Sequence, residues 1–280
     1  MNEESTAPEC AEEPGEKRED EPAGQVKQRY ESNEAVQRWI RQTEEEAGAP
    51  APAAERFSPA FLEGHHDRAW ILSSLDGFYA LGLITDVIGD VRPGKEATVY
   101  SCRRNRHVAR DTRGERAMRK KTRHGQQMRV SNWIDYEFKA HQAVYDAGAD
   151  VPQPWAHEGN AVLMGYVGDE ETPASHLREA DLDGGEARPL FDLLIDNIRL
   201  FLACNVIHGD LSAYNILYWE GQITIIDFAQ AVDPRTGTES MNFLYRDVER
   251  LCDFFRPFGV DASAGAVAAR LWDDFMHGRF

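Results

Sequence analysis

Cysteine is scarce. Cys10, Cys102, Cys204 and Cys252 are the only 4 in 280 residues, and no two are spaced as C-x-x-C. That excludes a disulfide scaffold and a zinc ribbon, and it fits a reducing cytoplasm. Long apolar runs are missing too: nothing approaches the ~20 residues of a membrane span, and the acidic N-terminus has no apolar signal core. The expectation is a cytoplasmic protein with no membrane partner. Basic charge is in deficit, 31 Lys and Arg against 48 Asp and Glu for a net charge of -17, which disfavours nonspecific nucleic-acid binding. The deficit is uneven: residues 103–129 carry 11 Arg or Lys against Asp111 and Glu115 alone. That run reads either as a solvated loop or as a contact with RNA or a ribosomal particle. It contains no aromatic residue, so no base-stacking platform is visible there. No internal repeat occurs at solenoid periods.

What remains is enough for one mid-sized domain or two small lobes. With 42% hydrophobic residues the chain can bury a core. Residues 1–56 are rich in Glu, Ala and Pro, hold too little apolar surface to offset chain entropy, and read as a disordered acidic tail. Apolar spacing then predicts a helix over Asp67 to Leu81, strands over Asp86 to Asp90 and Ala97 to Cys102 around the Pro93-Gly94 turn, and a helix over Val130 to Ala147 ended by Gly148. A strand over Asn160 to Tyr166 follows, then a helix over Arg188 to Cys204. Two closing helices, Tyr245 to Phe255 and Ala264 to Met276, complete the pattern. The expected class is α+β, with a strand-rich N-lobe over 57–168, a short helical C-lobe over 169–280, and a cleft between them where a nucleotide would lie.

The chemistry concentrates in two stretches, His208-Gly209-Asp210-Leu211-Ser212-Ala213-Tyr214-Asn215-Ile216-Leu217 and Ile225-Ile226-Asp227-Phe228. Phosphoryl transfer asks few groups of a protein: a carboxylate to orient or deprotonate the acceptor, and an amide and a second carboxylate to hold Mg2+ on the phosphates. Asp210, Asn215 and Asp227 are those groups, with Asp210 the catalytic carboxylate and Asn215 and Asp227 the metal ligands. The step from Asp210 to Asn215 matches the kinase loop H-R-D-x-x-x-x-N. Apolar Ile216-Leu217 and Ile223 to Ile226 flank Glu220-Gly221 as a hairpin, so all three polar groups fall at strand ends. A lone H-x-D is common, and an Asp at a strand end is usually a turn residue; the joint pattern is what separates this chain from that background. His208 reads as a packing residue of the loop rather than a proton carrier.

On Gly94-Lys95-Glu96-Ala97-Thr98-Val99-Tyr100, His208 to Leu217 and Ile226-Asp227-Phe228, the chain resembles the RIO family of atypical kinases and ATPases in its bacterial form. Lys120-Lys121-Thr122, Trp133 to Phe138 and Arg246-Asp247-Val248 add weaker support, and the resemblance spans about Asp67 to Phe255. It implies a bilobal protein-kinase-like fold and an atypical serine/threonine kinase or ATPase using ATP and Mg2+. The phosphoacceptor it implies is a protein substrate or the chain itself. It also implies that Gly94, Lys95, Glu96 and Ala97 cover the phosphates and that Met164, Tyr166 and Val167 form the hinge beside adenine. Glu137, mid-helix, would partner a cation on the α- and β-phosphates. Three departures stand out. Gly165 occupies a position where the family usually has Glu. Where the family carries an Ala-Lys-Val-Tyr strand, this chain has Arg103 to Arg110 and no lysine before Lys120, so Arg110 or Lys120 fills in, or the site is weakened. Only 53 residues follow Asp227, without an A-P-E segment, so a peptide groove is expected to be absent or unconventional. Two rivals remain open: a small-molecule phosphotransferase of the aminoglycoside or choline kinase kind, and a weakly active ATP-binding scaffold in ribosome or RNA assembly.

Overall fold

The computed structural model describes residues 57–93, 98–104, 128–237 and 239–280. The expected tail 1–56, the turn Gly94 to Ala97 and residues 105–127 of the basic run lie outside the described residues. After a single turn of 3₁₀ helix at Ala60–Leu62 come α1 (Arg68–Ala80), β1 (Ile84–Pro93), β2 (Thr98–Arg104), α2 (Met128–Asp146), β3 (Pro154–Glu158), β4 (Ala161–Met164) and β5 (Ser175–His176). Then follow α3 (Gly184–Ala203), β6 (Ile216–Trp219), β7 (Gln222–Ile225), α4 (Ser240–Phe255) and α5 (Ala264–Met276).

The strands form antiparallel pairs β1–β2 and β3–β4 and a three-stranded sheet β5–β6–β7. Two apolar clusters result. In one, Leu62, Ile71, Leu75 and Phe78 pack on Ile84, Val87 and Ala156. The larger gathers Ala140 and Val144 of α2, the buried face of α3, the β6–β7 hairpin and helices α4 and α5. Phe78, Phe201, Phe228 and Phe255 are wholly enclosed, each worth about 1.5–3 kcal/mol of burial.

Local chemistry explains the boundaries. Helix α2 ends where Gly148 takes φ 88; Gly148 N–H donates to the Tyr145 carbonyl at 2.9 Å and Ala149 N–H to that of Val144 at 3.1 Å, a left-handed C-cap. The β6–β7 turn is Glu220-Gly221, with φ of 50 and 80, the positive pair a two-residue hairpin with right-handed strand twist needs. Ile216, Ile223 and Ile225 face the core from that hairpin.

Several expected bounds move: β1 runs Ile84–Pro93 rather than Asp86 to Asp90, and α4 starts at Ser240 rather than Tyr245. Helix α3 starts at Gly184, not Arg188: Asp183 accepts N–H bonds from Gly185 and Glu186 at 2.7 and 2.8 Å. In this reciprocal cap the Glu186 carboxylate accepts the Asp183 N–H at 3.4 Å, and it holds a first turn whose two glycines hide it from periodicity. The strand expected over Asn160 to Tyr166 is shorter, Ala161–Met164, and pairs with β3, which periodicity had not marked.

Candidate active site

His208 enters the loop from a backbone bridge in which Ile207 and Val232 exchange N–H···O bonds at 2.9 Å. Burial pulls the His208 pKa below its ordinary value. Its neutral ring uses both nitrogens: Nε2 bonds the Ile226 carbonyl at 3.0 Å and Nδ1 accepts Asp210 N–H at 3.3 Å. The expected packing role fits this arrangement. Gly209 follows at φ 81, where a side chain would run into the Gln230 carbonyl, so the chain turns there only because Cβ is missing.

Asp210 is held at both carboxylate oxygens. Arg250 Nη1 donates to Oδ1 at 2.5 Å and Asn215 Nδ2 donates to Oδ2 at 3.2 Å. The same Asn215 amide also reaches the Asp210 carbonyl at 2.9 Å. With its N–H groups turned to Asp210, Asn215 has its side-chain oxygen left for another partner. Asn215 stands just before β6, and its carbonyl accepts Ile226 N–H at 2.9 Å, so the hairpin register sets Asp227 one residue beyond its cross-strand partner. Asp227 sits at φ 70, a left-handed strain that loop and strand together hold; its Oδ1 accepts Ala229 N–H at 3.3 Å. Thus the loop sets Asp210 and Asn215 in contact, and the hairpin end places Asp227 directly after Ile226, the backbone partner of Asn215.

Glu137 of α2 belongs to the same neighbourhood. Burial first, and the Asp227 carboxylate second, push its pKa up to about 7, and among the described residues no ion pair neutralises it. One turn further along α2, His141 stacks on Phe228 at 5.3 Å and bonds the Pro152 carbonyl at 2.7 Å, so the helix bearing Glu137 is packed on the residue after Asp227.

At the expected hinge, Met164 and Tyr166 are exposed; Met164 is not a core residue. Gly165 N–H donates to the Gln153 carbonyl at 2.8 Å and the Val167 carbonyl accepts Ala174 N–H at 2.9 Å. A Cβ on Gly165 would sit 3.3 Å from Gln153 N, so its glycine goes with close backbone approach between the two segments. Of the expected phosphate-covering residues, Gly94, Lys95, Glu96 and Ala97 lie outside the described residues, as do Arg110 and Lys120. The Arg104 guanidinium lies 3.7 Å over the Trp155 ring.

Two residues of α4 that carry no expected role hold the loop from beneath. Asp247, 2% exposed, accepts Gly209 N–H at 2.8 Å and Leu211 N–H at 2.9 Å. Arg246 donates to the Gly209 carbonyl at 2.5 Å. Burial pushes the Asp247 pKa up to about 7 against the pull of the two N–H donors and of Arg246 and Arg250. The signal was present in the pattern of α4: Leu244, Val248, Leu251 and Phe255 mark its buried face, and Asp247 falls on it. A carboxylate on that face needs partners.

The profile of the RIO domain family matches residues 96–267, more than half of the 280 residues. The chain belongs to the RIO domain family. It is 30% identical over 236 residues to serine/threonine-protein kinase RIO1 of Chaetomium thermophilum, covering 70% of this chain and 44% of the relative. Against RIO-type serine/threonine-protein kinase Rio1 of Thermoplasma acidophilum, identity is 32% over 138 residues, covering 49% of this chain and 71% of the relative. The match thus spans less than half of the first, longer relative. A solved Rio2 kinase–ADP/Mg2+–phosphoaspartate complex from Chaetomium thermophilum superposes with a TM-score of 0.54 at 21% identity, covering 88% of this chain and 80% of that one. At that identity the likeness speaks for the fold, a kinase-like α+β fold. Among the described residues no helix is long and apolar enough to cross a membrane.

Proposed function

We propose that this RIO domain is an ATP-dependent phosphotransferase, a serine/threonine kinase or ATPase using Mg-ATP. The observation that carries the reading is the joint hold of Asp210 and Asn215 at 3.2 Å, with Asn215 tied through Ile226 to the residue before Asp227. The donor set suits Mg2+: an amide oxygen and a carboxylate are hard oxygen ligands, and Mg2+ characteristically takes few protein ligands beside phosphates. His208, the nearest softer ligand, is spent on Ile226 and Asp210. Asn215 and Asp227 would hold the ion, which would neutralise phosphate charge when bound.

Asp210 is then the carboxylate that orients the acceptor hydroxyl or water and takes up its proton. The acceptor oxygen bonds to the γ-phosphorus as the bond from that phosphorus to the β-phosphate oxygen breaks, and ADP leaves. Glu137 faces the α- and β-phosphates with a cation drawn from Arg110, Lys120 or Lys121. Gly94 to Ala97 cover the phosphates, and Met164, Tyr166 and Val167 flank adenine at a hinge dividing 57–168 from 169–280. The acceptor is a protein hydroxyl, the chain itself or water, in the cytoplasm. Contact with RNA or a ribosomal particle belongs to 103–129. Membership in the RIO domain family weighs against a small-molecule phosphotransferase.

The test is transfer from γ-labelled ATP by purified full-length protein, with and without Mg2+. Label should appear as free phosphate or on protein serine or threonine, only with Mg2+, and not in Asp210→Asn. Metal-independent release, or full activity in Asp210→Asn, contradicts the reading.

A further inference from the structure

Phosphoryl transfer gathers negative charge beside the catalytic carboxylate, and a fixed cation there is the usual remedy. The loop from His208 to Leu217 has no lysine or arginine of its own. Helix α4 brings one instead. Arg246, Asp247 and Arg250 lie on one helical face and meet three successive loop residues. Arg246 takes the Gly209 carbonyl, Asp247 takes the Gly209 and Leu211 N–H groups, and Arg250 takes Asp210 Oδ1 at 2.5 Å. The first two hold backbone; Arg250 alone of the three holds the Asp210 side chain. With Asn215 on Oδ2, each carboxylate oxygen has a donor of its own. The Arg250–Asp210 pair is 38% and 45% exposed, so it adds little to folding stability. What a short, half-exposed pair at this position does provide is orientation and a positive charge at the mouth of the site.

We propose that Arg250 is the positioning residue of the phosphotransfer site. It sets the Asp210 carboxylate for the acceptor oxygen and supplies the fixed cation the loop lacks, exchanging no proton itself. This rests on the reading of Asp210 as the catalytic carboxylate.

The test compares steady-state Mg-ATP turnover by full-length wild type, Arg250→Ala, Arg250→Lys and Asp210→Asn, with thermal midpoints for each. A misset catalytic group costs roughly 10²-fold, so Arg250→Ala should lose about that in kcat. Its KM for ATP should stay within about twofold, since the nucleotide is gripped elsewhere, and its midpoint should barely move, as for an exposed ion pair. Arg250→Lys should recover part of kcat. Added guanidinium ion should restore part of the activity of Arg250→Ala and none of that of Asp210→Asn. Wild-type kcat in Arg250→Ala, with Asp210→Asn inactive, overturns the role of Arg250 and leaves that of Asp210. A loss in Arg250→Ala that comes with a lowered midpoint and no rescue by lysine or guanidinium also overturns it, as a structural effect. Wild type no faster than Asp210→Asn overturns both readings.

Discussion

Replacing Asp247 with alanine should loosen the whole loop, and the structure sets the size of the effect. The carboxylate is 2% exposed and takes the N–H groups of Gly209 and Leu211 at 2.8 and 2.9 Å. Removing it leaves both donors buried, at about 1–3 kcal/mol each. Part is offset, because the variant no longer bears the burial that pushes this carboxyl up to about 7. A net loss of about 2–4 kcal/mol follows, or roughly 4–16 °C in thermal midpoint for a domain of this size. Asp247→Asn keeps the shape and one acceptor and should lose about half as much. The pH dependence gives an independent check. The group titrates near 7 folded, against an ordinary 3.8, so the folded chain binds the proton more tightly. Its share of stability is full below about 3.8 and shrinks as pH rises to about 7; Asp247→Asn removes that slope. Urea unfolding between pH 5 and pH 8, alongside ATP turnover, measures both. An alanine variant with a wild-type midpoint at pH 7 would refute the reasoning.

Glu137→Gln should act in the same direction: a carboxyl raised from 4.5 to about 7 by burial and by Asp227 withdraws stability as pH climbs through that window, so the variant should gain stability over wild type at pH 8 and match it near pH 4.5, read by thermal melts. If Arg110, Lys120 or Lys121 accompanies Glu137 on the phosphates, its alanine variant should lose roughly ten- to a hundredfold in Mg-ATP affinity, the worth of one charge-assisted contact. Micromolar binding that none of the three substitutions weakens would exclude a substitute cation.

The local placement of the candidate residues was legible where chemistry and spacing coincide in one short stretch. Asp210, Asn215 and Asp227 could be read because a five-residue loop and a hairpin with an obvious Glu220-Gly221 turn fix their relation locally. Helices α1, α2 and α5 were legible for a similar reason, since their apolar stripes repeat without interruption. Arg250 and Asp247 were not, because their partners lie 36 to 40 residues away along the chain and nothing in α4 itself says which loop it will meet. The start of α3 was hidden by Gly184-Gly185, although Asp183 and Glu186 carried a capping signature. Strand β3 was hidden by its opening Pro154, a residue that argues for a loop but is tolerated at a strand's first position.

If Asn215 and Asp227 hold Mg2+ on ATP while Asp210 acts on the acceptor, only the loss of a metal ligand should weaken nucleotide binding. Calorimetric titration of full-length protein with ATP in Mg2+, for wild type, Asp227→Asn and Asp210→Asn, tests it most directly. Asp227→Asn should lose metal-dependent binding while Asp210→Asn keeps nearly all of it. Equal Mg-ATP affinity in wild type and Asp227→Asn would contradict it.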